Sequence, residues 1–207
     1  MQTPTQPIRL YRHPLSGHAH RVELFLSLLE LPHELVDVDL AAGAQKSREF
    51  LQKNPFGQVP VLEDGDVTLP DSNAILVYLA TRYDRSASWL PRDPVDAARA
   101  QWWLSIAAGQ LAHGPAAARL VTVFGAKLDQ ERARSIAKQL YTVLEQHLSD
   151  REFLVGRAPT IADVAMYSYT AVAPEGGVSL DAYPSVRAWL ARVEALPRFA
   201  PMRRAPA

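Results

Sequence analysis

The sequence predicts a chain in two parts: a small α/β unit with element order βαβαββα, then an all-α unit. Three observations carry this. A length of 207 residues suits one or two domains. Up to Tyr83, apolar runs of period two alternate with runs of helical period. From Asp84 onward the helical period persists almost throughout. The expected boundaries are residues 1–83 for the first unit, 84–92 (DRSASWLPR) for a linker, and 93–207 for the second.

Ile8–Tyr11 reads as the first strand. His13-Pro14-Leu15-Ser16-Gly17 is a turn, punctuated by Pro and Gly. In the helix that follows, Val22, Phe25, Leu26 and Leu29 recur at i, i+3, i+4 and i+7, one apolar stripe. Arg21, Glu23 and Glu30 take the opposite face, and Leu31-Pro32 ends the helix. Val36, Val38 and Leu40 alternate with Asp37 and Asp39 as a second strand. Such a βαβ start implies parallel strands joined by a right-handed crossover. A short helix is expected over Lys46–Gln52. Val59–Leu62 and Val67–Leu69 flank Glu63-Asp64-Gly65-Asp66, and Asp-Gly between two strand-like runs signals a hairpin. Ser72–Arg82 is apolar on most faces and so reads as a buried helix.

The second unit opens with Asp93 as N-cap, Pro94 in the first helical position and Asp96 in the first turn. Its helix is expected to run past Trp102 and Trp103 towards Gly114-Pro115. Asp129 caps the next helix, whose stripe is Ile136, Leu140, Leu144 and Leu148 with Val143. Thr160-Ile-Ala-Asp163 resembles a capping box. Pro184 starts a last helix with Val186, Trp189, Leu190 and Val193 facing inward. The closing PMRRAPA reads as a loose tail.

Composition narrows the function. Lys plus Arg is 22 and Asp plus Glu is 22, so the electrostatic footprint of a dedicated nucleic-acid binder is missing. The absence of cysteine excludes disulfides, thiolate metal sites and a cysteine nucleophile. No two of the six histidines have the spacing of a helical zinc site, so no metal is expected. The start, MQTPTQPIRL, lacks the apolar stretch of a signal peptide, and no apolar run approaches the ~18 residues of a membrane span. A cytoplasmic protein without membrane association is the expectation.

Five segments, in order, resemble the cytosolic glutathione S-transferase superfamily: LYRHPLSGHAHRV, NPFGQVPVLEDG, LPDSNAI, FLVGRAPTIADVA and YPSVRAWL. They span nearly the whole chain, and NPFGQVPVLEDG followed by DSNAI is the most specific. The resemblance implies a thioredoxin-like first domain, glutathione as co-substrate and a homodimer. It implies a catalytic role for Ser16, which would donate a hydrogen bond to thiolate at a helix N-terminus rather than act as a nucleophile. LSGHA is not GxSxG, and read alone Ser16 is a helix cap. Tyr11 is a rival for the thiolate role, although its strand position suits packing; His18 and His20 read as solvated first-turn residues.

By the same resemblance, Val59 would pair its main chain with the cysteinyl unit ahead of a cis Pro60. Asp71 would take the γ-glutamyl ammonium, and Ser72, as an N-cap, its carboxylate. Lys46 would serve the glycyl carboxylate, with Gln45, Lys53 and Gln58 as alternates. An electrophile would lie against the long helix carrying Trp103, Ile106, Gln110 and His113. Adjacent Trp102 and Trp103 point about 100° apart on a helix, so one of them belongs to core or interface.

NPFGQVPVLE is closest to the omega class, yet that class has cysteine where Ser16 stands, which removes its chemistry through an enzyme mixed disulfide. The zeta-like isomerase pattern is matched at Ser16 and Arg21-Val22, but its consecutive serines before Trp-Arg are missing. The expected activity is therefore conjugation of glutathione thiolate to an electrophile, with peroxidase or disulfide exchange as side activities. The alternatives are a maleylacetoacetate-like isomerase and a non-catalytic scaffold of the same fold.

Overall fold

The computed structural model describes residues 3–206. Its first unit contains β1 (Ile8–Arg12), α1 (Gly17–Leu28), β2 (His33–Asp37), α2 (Arg48–Lys53), β3 (Val61–Asp64), β4 (Val67–Pro70) and α3 (Ser72–Tyr83). The sheet order is β2-β1-β3-β4. β1 and β2 are parallel, whereas β1–β3 and β3–β4 are antiparallel. Period two divides β1 between the faces. Ile8 and Leu10 enter the main core with α1 and α3, and Tyr11 joins Val38, Phe50 and Val61 in a small cluster on the other face. The hairpin turns on Gly65-Asp66, with Gly65 at φ 59°.

Several strand and helix bounds shift from expectation. β2 starts and ends earlier than the Val36–Leu40 alternation, because its register pairs His33 with Ile8 and Asp37 with Arg12. Val38 is still buried, and its N–H donates to Arg12 O at 2.7 Å. The short helix begins after a 3₁₀ turn at Ala44–Lys46, since Ser47 caps it by accepting from Phe50 N. Residues 84–93 carry no regular element. There Asp84 accepts from Ser86 N at 3.1 Å, Ser88 Oγ at 3.2 Å and Trp89 N at 2.8 Å.

The second unit contains α4 (Pro94–Ile106), a π-helical stretch (Ala107–Ala116), α5 (Ala117–Phe124), α6 (Gln130–Leu148), α7 (Ile161–Ala171) and α8 (Pro184–Glu194). Gly114-Pro115 does not end the helix as expected. The stretch widens to i→i+5 bonding, as in Ala117 N–H to Ala112 O, and the proline is absorbed within it. Asp93 and Asp129 are N-caps, and the four expected α8 residues are buried. On α6, Val143 is 54% exposed, and Ala133, Ala137 and Tyr141 take the inward face with the leucines.

α7 is the axis of the molecule. Every residue from Ile161 to Ala171 is buried, as a helix apolar nearly all round requires. Its start is a capping box between Thr160 and Asp163. The Asp163 carboxylate also accepts from Leu154 N at 3.0 Å and Trp189 Nε1 at 2.9 Å. The C-terminal segment is packed rather than loose. Met202 is buried, Ala200 O meets His20 Nε2 at 2.9 Å, and Arg204 Nη1 donates to Ala171 O at 2.8 Å.

Candidate functional site

A cleft runs between the sheet's loop ends and the helical unit. It has two compartments, of about 420 Å³ and about 400 Å³. Both are lined by His18, Gln58 and Val59, so they form one continuous groove. The first compartment is lined by Val59-Pro60, Asp71 and Ser72 together with Asn54, Phe56 and Pro70. The second is mainly apolar, walled by Leu15, Leu40, Ala112, Ala116, Leu120, Phe124 and Tyr169.

Ser16 stands at the edge of the second compartment and is the N-cap of α1. Its Oγ accepts from Ala19 N at 3.2 Å, while its own hydroxyl proton has no acceptor among the described residues. The cap and an available donor therefore coexist in one side chain. Tyr169 packs so closely here that a Cβ on Gly17 would lie 2.8 Å from its ring. Tyr11 lies outside the lining of both compartments, and its hydroxyl donates to Glu63 Oε2 at 2.9 Å.

Neither histidine is a freely solvated first-turn residue: His20 is buried and His18 is half-buried at the cleft. Burial, reinforced by Arg21, pushes the His18 pKa down to about 3. Burial likewise lowers His20 to about 4, and its Nδ1 meets Ser168 Oγ at 2.9 Å. Both are neutral near pH 7, so neither offers a cation to an anion at the α1 N-terminus. Arg21 also leaves its expected outer face. It is buried, its Nη1 donates to Asn73 Oδ1 at 2.8 Å and Ser72 Oγ at 3.3 Å, and desolvation lowers its pKa to about 10. In accepting from Arg21, Ser72 keeps its own proton for a group in the cleft.

The Val59–Pro60 bond is cis, and Val59 N–H and C=O have no partner among the described residues. The loop before it is built by Asn54, whose Nδ2 donates to Gln58 O at 2.8 Å and whose Oδ1 accepts from Phe56 N at 3.1 Å. Gly57, at φ 59°, allows this path; a Cβ there would meet Gln45 O at 2.7 Å. Lys46 Nζ donates to Phe56 O at 3.0 Å across the same loop and does not line either compartment.

At α3 the cap is Asp71, not Ser72. Asp71 has φ 69° and accepts from Asn73 N and Ala74 N at 2.9 Å. Its second carboxylate oxygen accepts no hydrogen bond among the described residues, and the residue is exposed on the cleft. Ser72 is the first helical residue and is buried.

The long-helix residues are not brought to the cleft. Trp103 is buried against His147 at 4.9 Å between ring centres, and Ile106, Gln110 and His113 do not line it. The wall is made further along, by Ala112, Ala116, Arg119 and Leu120. Arg119 and Tyr169 went unmarked in the sequence. An arginine inside the apolar run AAARLV was the available signal for the first, and nothing local marks the second. Among the described residues no three His, Asp or Glu side chains form a metal-binding group, and no helix is long and apolar enough to cross a membrane.

The arrangement thus offers a hydroxyl donor at a helix N-terminus, a main-chain unit at Val59 without a partner, a free carboxylate oxygen beside a helix start, and an adjoining apolar chamber. Residues 6–81 match the model for the glutathione S-transferase N-terminal domain, and residues 102–197 match that for the C-terminal domain. Glutathione S-transferase 3 from Zea mays is 35% identical over 205 residues, covering 93% of this chain and 91% of its own length. Human glutathione S-transferase theta-2 is 34% identical over 197 residues, with coverages of 91% and 81%. Among solved structures, a glutathione S-transferase from Pseudomonas fluorescens superposes with TM-score 0.88 at 35% identity, covering 95% of this chain and 99% of its own. A glutathione transferase homologue from Drosophila mojavensis with bound glutathione gives TM-score 0.83 at 32% identity, with coverages of 92% and 89%.

Proposed function

This chain belongs to the glutathione S-transferase family, and from that premise we propose that it joins glutathione thiolate to an electrophilic, mainly apolar small molecule. The observation that carries the reading is the continuity of the two compartments beside Ser16. Glutathione occupies the first compartment, the one that carries Asp71 and Ser72. Asp71 takes its ammonium, Ser72 and the α3 N-terminus its γ-glutamyl carboxylate, and Val59, held by cis Pro60, pairs with the cysteinyl main chain. Lys46 reaches the glycyl carboxylate by leaving Phe56 O. Ser16 Oγ donates to the sulfur, lowering a thiol pKa of about 8.5 and raising the thiolate fraction at neutral pH. Catalysis is proximity plus electrostatic preorganisation, with the electrophile held in the apolar chamber.

Peroxidase or disulfide-exchange chemistry would use the same thiolate. The proposal includes a cytoplasmic detoxification role and a homodimer, the latter supported by Phe56, 78% exposed at the cleft rim. The test is thermal unfolding with and without glutathione and S-methylglutathione, followed by a panel of aryl halides, epoxides and organic hydroperoxides. Ligand at ~100 times its Kd adds about 2.7 kcal/mol. A shift with both ligands and turnover of one electrophile class is expected. No shift with either ligand would favour a scaffold that keeps the fold without the activity.

A further inference from the structure

We infer that Arg119, a residue of the helical unit, is the positioning residue for Ser16 and the cation that biases the bound thiol towards thiolate. The inference rests on the glutathione-transferase reading. Arg119 is the one arginine or lysine among the described residues lining either compartment of the cleft. Its side chain is 2% exposed. Nη1 donates to Leu15 O at 2.7 Å, and Nε donates to Glu175 Oε2 at 2.7 Å. Nη2 is buried with no partner.

The Leu15 carbonyl belongs to the peptide group whose nitrogen is that of Ser16. Ser16 N–H in turn donates to His13 O at 2.9 Å. The plane from which Ser16 departs is therefore pinned at both ends, by Arg119 and by His13. Rotating it would redirect the Ser16 hydroxyl, and a misplacement of about 1 Å at a reacting group can cost ~100-fold in rate. The anchor behind Arg119 has little slack. Glu175 also faces Arg204 at 3.9 Å and accepts from Ala205 N at 3.4 Å, and a Cβ on neighbouring Gly176 would lie 2.7 Å from Arg119 N.

The charge has a direction. Arg119 is among the residues that line the cleft and Glu175 is not, so the cation is the member of the pair nearer the chamber. The other titratable groups around the chamber do not take that role. His13 and His18 are shifted down, chiefly by burial, and are neutral near pH 7; Tyr169 is shifted up by burial and stays neutral. Arg21 lies behind Ser72 rather than in the lining, and Asp71 sits at the far end of the groove.

The test compares the wild type with Arg119→Gln, Arg119→Lys and Glu175→Gln. The ultraviolet absorbance of bound thiolate is titrated against pH, and S-methylglutathione affinity and thermal stability are measured alongside. In Arg119→Gln the bound thiol pKa should rise by about one unit, a tenfold loss of thiolate at neutral pH, with S-methylglutathione affinity within about threefold. Arg119→Lys should recover part of the shift. Glu175→Gln should move the thiol pKa the opposite way, because it removes the opposing charge and leaves the Leu15 contact. An unshifted thiol in Arg119→Gln, with only stability reduced, would overturn the inference; if that variant does not fold, a rise in Glu175→Gln would overturn it. A wild type that binds neither glutathione nor S-methylglutathione would instead remove the reading beneath it, and the inference with it.

Discussion

Ser16 carries two jobs in one side chain, and substitutions can separate them. Its Oγ caps α1 by accepting from Ala19 N, and its proton is available to the cleft. Loss of an N-cap costs about 1 kcal/mol. Loss of a hydrogen bond to a charged group costs about 1.5–3 kcal/mol, which at 1.36 kcal/mol per pKa unit raises the bound thiol by about 1–2 units. Ser16→Ala should therefore lose about 1 kcal/mol of stability and about 10–100-fold in conjugation rate at neutral pH. Its S-methylglutathione affinity should stay within a few-fold. Ser16→Asp should keep the cap, since Asp is a strong N-cap residue, yet lose at least as much rate because it repels thiolate. Denaturant unfolding and pH–rate profiles at saturating glutathione give the two readouts. An alanine variant with an unchanged rate at every pH, or an aspartate variant with full rate, would refute the assignment.

Asp71→Asn should retain the α3 cap and the φ of 69°, both of which asparagine tolerates, while removing the charge offered to an ammonium. Glutathione affinity by calorimetry should fall about tenfold, the size of a charge-assisted hydrogen bond, with little change in melting temperature. His18 and His20 are held neutral, with folded pKa values of about 3 and about 4, below the unfolded 6.5. Protons then favour the unfolded chain, so stability is full above about pH 6.5 and falls as pH drops towards 4, by up to about 1.4 kcal/mol per unit for each histidine. Unfolding curves across that range should show it, and His20→Gln should remove part of the slope. Asp163→Ala should strand buried donors at Leu154, Thr160 and Trp189, a loss of about 4 kcal/mol or more by denaturant titration. Asp163→Asn should lose less.

Most elements were legible because local chemistry and tertiary demand agree. Asp93, Asp129 and Thr160 cap where their side chains suggest, and Val186, Trp189, Leu190 and Val193 face inward as their spacing suggests. The misses on α1 share one cause: burial imposed by a distant partner. Arg21 and His20 lie on the face of α1 that a single helix would leave in water, but α7 and the C-terminal segment cover that face, as His20–Ser168 and His20–Ala200 record. The placement of Val59-Pro60 and Asp71-Ser72 along the cleft was legible where a motif fixes backbone, although the cap falls on Asp71 rather than Ser72. The site was not legible where a wall comes from a helix face, because the widened stretch rotates Ala112, Ala116 and Arg119 into positions that a 3.6-residue wheel assigns elsewhere.

That π-helical stretch bears on how the gene can tolerate length changes. Each i→i+5 turn takes up about one residue more than an α turn. Deleting a single residue between Ala107 and Gly114 need not break the rod; it lets the segment tighten towards α geometry. Because that tightening takes up the missing residue, everything downstream keeps nearly its original phase about the helix axis. Arg119 would then stay on Leu15, and α4, with its buried Trp103, would stay seated in the core. An insertion–deletion scan should therefore find single deletions tolerated within this rod, whereas one inside the regular α6 would turn everything beyond it by about 100°.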